Sequence, residues 1–167
     1  MKFLTLLSAV IGVQIMIISG CGGGGGSGVS GSSVNGGSTT KTTTLVFSSY
    51  STSAQIGGFD LTVTLPKEVT IKNDSSGAPL SSVVYLSGQF AGSVLDYSNG
   101  VNYSSASNTL KVSYPSTSGH AVGEFLTISC DVPASYTPNI TFINYSATFY
   151  STSGGVLNDV YAKATFN

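Results

Sequence analysis

From residue 45 onward, apolar and polar side chains take turns along the chain. Phe59, Leu61, Val63 and Leu65 alternate with Asp60, Thr62 and Thr64; Leu126, Ile128, Cys130 and Val132 alternate with Thr127, Ser129 and Asp131. A period of two puts each apolar set on one face of a pleated strand. Pro66 closes the first of these runs, because its ring nitrogen carries no proton for a ladder. Further runs are Thr43–Ser48, Val69–Lys72, Ser82–Ser87, Val101–Ser104, Thr109–Tyr114, Ile140–Tyr150 and Asp159–Phe166, separated by clusters of Gly, Pro, Ser and Asn. No stretch repeats at helical spacing. The pattern predicts an all-β domain of about nine strands. With no helices to cover the apolar faces, two sheets must cover each other, so the expected architecture is a two-sheet β-sandwich.

The first 44 residues follow a different pattern. Met1 and Lys2 precede an apolar stretch from Phe3 to Ile18, Ser19 and Gly20 are small, and Cys21 opens a tract of glycines. This is the layout of a secretory signal with its cleavage site between Gly20 and Cys21. The apolar run is shorter than the ~20 residues a spanning helix needs, and Gln14 interrupts it. Ile18-Ser19-Gly20-Cys21 resembles the lipobox of bacterial lipoproteins. The resemblance implies a signal peptide over residues 1–20, removed before Cys21, with acyl chains such as palmitate carried on that cysteine. Several chains make a stable anchor, because each buried methylene adds about 0.8 kcal/mol. In such lipoproteins an aspartate after the cysteine goes with retention at the inner membrane. Gly22 stands there instead, so the implied address is the cell envelope, with an outer membrane favoured.

Residues 21–44 are otherwise almost wholly Gly, Ser, Thr and Asn, too poor in apolar groups to offset ordering entropy. They read as the lipidated cysteine and a flexible linker, whose 23 residues after Cys21 have a root-mean-square span of roughly 26 Å. Residues 45–167 then form one domain, long enough to bury a core without a metal or a disulfide.

Composition narrows the partners. Charged residues make up only 8% of the chain, all six cations are lysines, and nothing forms a basic patch for phosphates. Nucleic acid is therefore not an expected partner. Cys130 is left alone once Cys21 carries lipid, and its place on an apolar face marks it as a small hydrophobe rather than a reactive thiol. His120, in Ser118-Gly119-His120-Ala121, has no acid or nucleophile near it in sequence and reads as a solvated loop histidine. One histidine and one free cysteine cannot furnish a zinc site, and Glu68, Asp74, Asp96, Glu124, Asp131 and Asp159 are scattered rather than gathered in an acid-rich calcium loop. No catalytic residue, metal or cofactor is expected. The Asn-x-Ser/Thr triplets at Asn73, Asn102, Asn139 and Asn144 are the chance yield of a chain rich in Ser and Thr.

Three stretches carry a further likeness. Gly57-Gly58-Phe59-Asp60-Leu61-Thr62-Val63-Thr64-Leu65-Pro66, the pair Asn108–Val112 and Gly123–Ile128, and Ala147–Val160 with Gly154 and Gly155 resemble the core and turn patterns of the cohesin domain, a nine-stranded jelly-roll sandwich. The resemblance implies a cohesin-like domain over residues 45–167 and a role in assembly or adhesion through a dockerin-like protein partner. Leu65 stands in place of the family's usual tyrosine, and the turn lacks its aspartate, so no dockerin-contact residue carries over.

The alternative partner is a polysaccharide. The chain has nine tyrosines and no tryptophan. An exposed phenol ring can pack on a sugar, although tyrosines also suit half-buried strand surfaces. Tyr161, beside Lys163, and Tyr97 and Tyr103, flanking Asn99-Gly100, are the candidates for such stacking. The expected function is a membrane-anchored, non-enzymatic binding module.

Overall fold

The computed structural model describes residues 39–52 and 54–167. The expected signal peptide, the expected cleavage between Gly20 and Cys21, the expected lipidation of Cys21 and the expected linker up to residue 38 fall on residues outside the described ones. Among the described residues, no helix is long and apolar enough to cross a membrane.

Eight strands form the domain: β1 (Thr40–Tyr50), β2 (Ile56–Thr64), β3 (Val84–Leu86), β4 (Val101–Ser104), β5 (Thr109–His120), β6 (Glu124–Pro133), β7 (Asn144–Tyr150) and β8 (Tyr161–Phe166). They make two four-stranded sheets, ordered β3-β6-β1-β8 and β4-β5-β2-β7. Every pairing is antiparallel. The alternation read from the sequence is the alternation of burial. Phe59, Leu61 and Val63 of β2 face Leu45 and Phe47 of β1 and Leu126, Ile128, Cys130 and Val132 of β6, all almost or completely buried. A fully buried side chain of this kind stabilises by roughly 1.5–3 kcal/mol. Aromatic rings join the two sheets: Phe59 lies 4.7 Å from Phe125 and 5.7 Å from Phe90, edge to face in both cases. Such pairs add about 0.5–1.5 kcal/mol beyond their burial.

Several elements differ from expectation for local reasons. β1 begins at Thr40, so Thr40–Thr42, which lie ahead of the expected Thr43–Ser48 run and read as linker, pair with Asp131–Pro133 of β6. Val69–Lys72 is not a strand: β3 already occupies the free edge of β6, and only Thr70 reaches past it to bridge Asp131. Ile140–Phe142 is a 3-10 turn rather than the start of β7, because Asn139 Oδ1 accepts from the Thr141 backbone N–H at 3.0 Å and its hydroxyl at 2.9 Å. This is the local capping that draws Asn out of strands. In β6, Phe47 opposes Leu126 while Ser48 opposes Glu124, leaving Phe125 as an extra residue. That bulge turns both Phe125 and Leu126 inward.

The larger irregularity lies in β5. Ile56 pairs with His120 and Gly58 with Pro115, so one residue on β2 spans four on β5, and Ser116–Gly119 loops outward. This outward loop builds one wall of the site described next.

Candidate functional site

β1 takes the chain from Thr40, opposite Pro133, to Tyr50, opposite Tyr161, a rise of about 33 Å for ten residue steps. β2 begins after five intervening residues at the end of the sandwich where β1 finishes, and the features of interest gather there.

On the outer face of the first sheet, Tyr50 and Tyr161 are cross-strand partners and stack at 6.2 Å with their planes 16° apart. They are 44% and 66% exposed. Ser48 and Lys163 form the next row on this face, followed by Tyr85, Thr127, Val46 and Thr165, with Tyr85 40% exposed. Tyr161 therefore faces outward beside Lys163, as the alternation of β8 predicted, and Tyr50 joins it. The other two candidate tyrosines do not. The Tyr103 hydroxyl donates to Asn108 Oδ1 at 2.5 Å, and the Tyr97 hydroxyl donates to the carbonyls of Val84 and, at 3.3 Å, Ser81. Both are half-buried, and burial raises both phenol pKa values. They hold loops to strands rather than presenting a free ring.

His120 is not the solvated loop residue expected. It ends β5, its imidazole lies parallel to Phe90 at 4.2 Å, and Nδ1 sits 3.1 Å from the Gln89 carbonyl. The reason is the outward loop of Ser116–Gly119, which returns the backbone to the sheet one residue before the turn. Cys130 is buried, as its place on the apolar face implied, and burial, then the charge of Asp131, pushes its thiol up to about 12. The acids remain apart. Asp74 and Asp96 each close their own loops, held low chiefly by hydrogen bonds from the Ser76 hydroxyl and the Asn99 amide respectively. Among the described residues, no three His, Cys, Asp or Glu side chains are placed to hold a metal ion.

The second sheet carries a feature that sequence reading missed. Two adjacent rows on its outer face run Tyr150–Gly58–Pro115 and Thr148–Asp60–Ser113. Gly58 lets β5 close in on β2, since a Cβ there would sit 2.5 Å from the Tyr114 carbonyl oxygen, and Tyr150 and Pro115 flank it on the neighbouring strands. The Ser116–Thr117 bulge and the Ser151–Gly154 turn rise on either side and enclose a cleft of about 790 Å³. The size is that of a small-ligand site. Asp60 Oδ1 accepts from Ser113 Oγ at 2.6 Å, and Oδ2 accepts from the Tyr150 hydroxyl at 2.8 Å. The Asp60 hydrogen bond is the main cause of the raised Tyr150 pKa. The available signal was an acid between Phe59 and Leu61, two residues after the Gly57-Gly58 pair; its partners come from 53 and 90 residues away and have no local trace. Gly57 is required on packing grounds, since a Cβ there would sit 2.5 Å from Thr152 Cα.

Comparisons with protein-family models, with curated proteins and with solved structures find no match to this chain.

Proposed function

We propose that this chain is a membrane-anchored, non-enzymatic binding module, tethered by lipid on Cys21 in the cell envelope and assembling with a protein partner through a cohesin-like domain. The observation that supports it is the exposed Tyr50–Tyr161 stack on the outer face of the first sheet. Tyrosine is enriched at the energetic centres of protein interfaces, since it offers a large rigid surface with a polar tip. Ser48, Lys163 and Tyr85 extend the face as a mixed polar and aromatic surround. Thr40 and Tyr50 are the two ends of β1, and the tyrosine pair sits at the Tyr50 end.

The test uses the full chain purified from membranes. A partner protein should be retained in near-equal amounts from envelope extract by the native chain and lost with Tyr50→Ala/Tyr161→Ala, whose fold is checked by circular dichroism. Retention that the double variant leaves intact removes the reading. Mass spectrometry of the same preparation should find acyl chains on Cys21, and Cys21→Ser should release the protein from the membrane.

A carbohydrate partner is the second reading. It draws on the same exposed rings and on the hydroxyl-rich outer face of the second sheet, where Asn102, Ser113, Ser146 and Thr148 are exposed.

A further inference from the structure

We infer that the cleft lined by Tyr150, Pro115 and Asp60 is a saccharide site that packs one pyranose ring of a neutral glycan against Tyr150 and Pro115, with ring hydroxyls donating to Asp60. The inference deepens the carbohydrate reading and rests on it, but it moves the site from the tyrosine pair of the first sheet to the opposite sheet.

The geometry supplies both halves of what a sugar ring needs. A pyranose has apolar C–H faces and a girdle of hydroxyls that both donate and accept. Tyr150 and Pro115 are the cross-strand neighbours of Gly58, and both line the cleft, with the Tyr150 hydroxyl reaching across to Asp60. Their rings offer apolar surface to the C–H face of a sugar, the packing an aromatic face favours. At the next row, the carboxylate of Asp60 has roughly four acceptor sites, and Ser113 and Tyr150 use one on each oxygen. One acceptor on each oxygen remains for adjacent hydroxyls of a ligand. Hydrogen bonds to an ionised acceptor are about twice as strong as neutral ones. Ser113, Ser116, Thr117, Ser151 and Thr152 supply hydroxyls around the rim.

The charge pattern selects the ligand class. No Lys or His lines the cleft, and its one charged group is Asp60, so phosphates, sulfates and uronates would meet a like charge with no cation to offset it.

Isothermal titration of the full chain in detergent with cellohexaose, xylohexaose, mannohexaose, laminarihexaose and chitohexaose tests this directly. At least one should bind at millimolar concentration or tighter. Asp60→Asn, which keeps the shape of the side chain, should weaken that binding by about tenfold or more, the loss expected for a charge-assisted hydrogen bond. Tyr150→Ala should weaken it similarly, and Tyr161→Ala should leave it unchanged. Amide chemical-shift changes on binding should centre on Gly58, Asp60 and Ser113. If no oligosaccharide binds, both the cleft assignment and the carbohydrate reading fall. Binding that survives Asp60→Asn and Tyr150→Ala but is lost in Tyr161→Ala keeps the carbohydrate reading and overturns the cleft.

Discussion

The phenol of Tyr103 donates to Asn108 Oδ1 at 2.5 Å, and the same Asn108 turns its amide onto three carbonyls, those of Leu65, Pro66 and Val69, at 3.2, 2.7 and 2.9 Å. Asn108 is also the one non-glycine residue with positive φ, 49°, among the described residues. Asparagine tolerates that conformation better than most side chains. One residue thus sets the β4–β5 turn and ties it to the segment that leaves β2. Asn108→Ala should cost roughly 2–4 kcal/mol, since it strands several part-buried polar groups at once. Urea denaturation would read this as a lower midpoint, and a loss under about 0.5 kcal/mol, the range of ordinary surface changes, would refute the hub.

The core makes a simpler demand. Leu61 and Ile128 face each other's sheets with essentially no exposure, and a charge at either cannot be solvated without opening the sandwich. Leu61→Asp and Ile128→Asp should abolish the cooperative unfolding transition. Phe59→Ala, at the centre of the ring cluster, should destabilise by about 3–5 kcal/mol yet leave the strand signal in circular dichroism intact.

Gly57 predicts a backbone effect. The turn after β7 passes so close that an added methyl would lie 2.5 Å from both the N and Cα of Thr152. Neither can move as a side chain can. Gly57→Ala should lower stability by about 1–3 kcal/mol, as overpacking does, whereas alanine at Gly154, where no atom lies within 4 Å but φ is +84°, should cost about 1 kcal/mol through backbone strain alone. Equal losses at the two sites would mean that the turn does not press on β2.

Much of this fold was legible because the decisive information is local. Alternation in Phe59–Leu65 and Leu126–Val132 carries the sheet, the inward face and the burial of Cys130. What was not legible depends on pairing. Phe125 turns inward through a bulge that only the register with β1 defines, and His120 packs on Phe90 because β5 detours through Ser116–Gly119. Tyr103 and Tyr97 looked free because their acceptors, Asn108 and Val84, become neighbours only after folding. Asp60 shows the same limit. Nothing in Gly57-Gly58-Phe59-Asp60 announces Tyr150.

Alkaline pH should expose the buried protons. The Cys130 thiol is raised by burial from 9.0 to about 12, so the unfolded chain loses this proton first. Its contribution to stability is complete below pH 9.0 and is lost as pH rises toward about 12. Tyr97 and Tyr103, raised by burial, and Tyr150, raised chiefly by its bond to Asp60, act in the same direction above 10.0. The melting temperature should therefore fall steadily above pH 9, and Cys130→Ala should flatten the first part of that fall. An identical slope in the variant would place the thiol outside the linkage. The same burial predicts no reaction of Cys130 with a thiol reagent until the domain is unfolded.

The central claim is recognition of a protein through the exposed tyrosine pair, and site-specific photocrosslinking in the living envelope tests it most directly. Tyr161→p-benzoylphenylalanine should give one discrete adduct with a partner protein, while the same residue at Lys111, on the outer face of the other sheet, should give none. Adducts from position 111 and not from 161, or from neither, would contradict it.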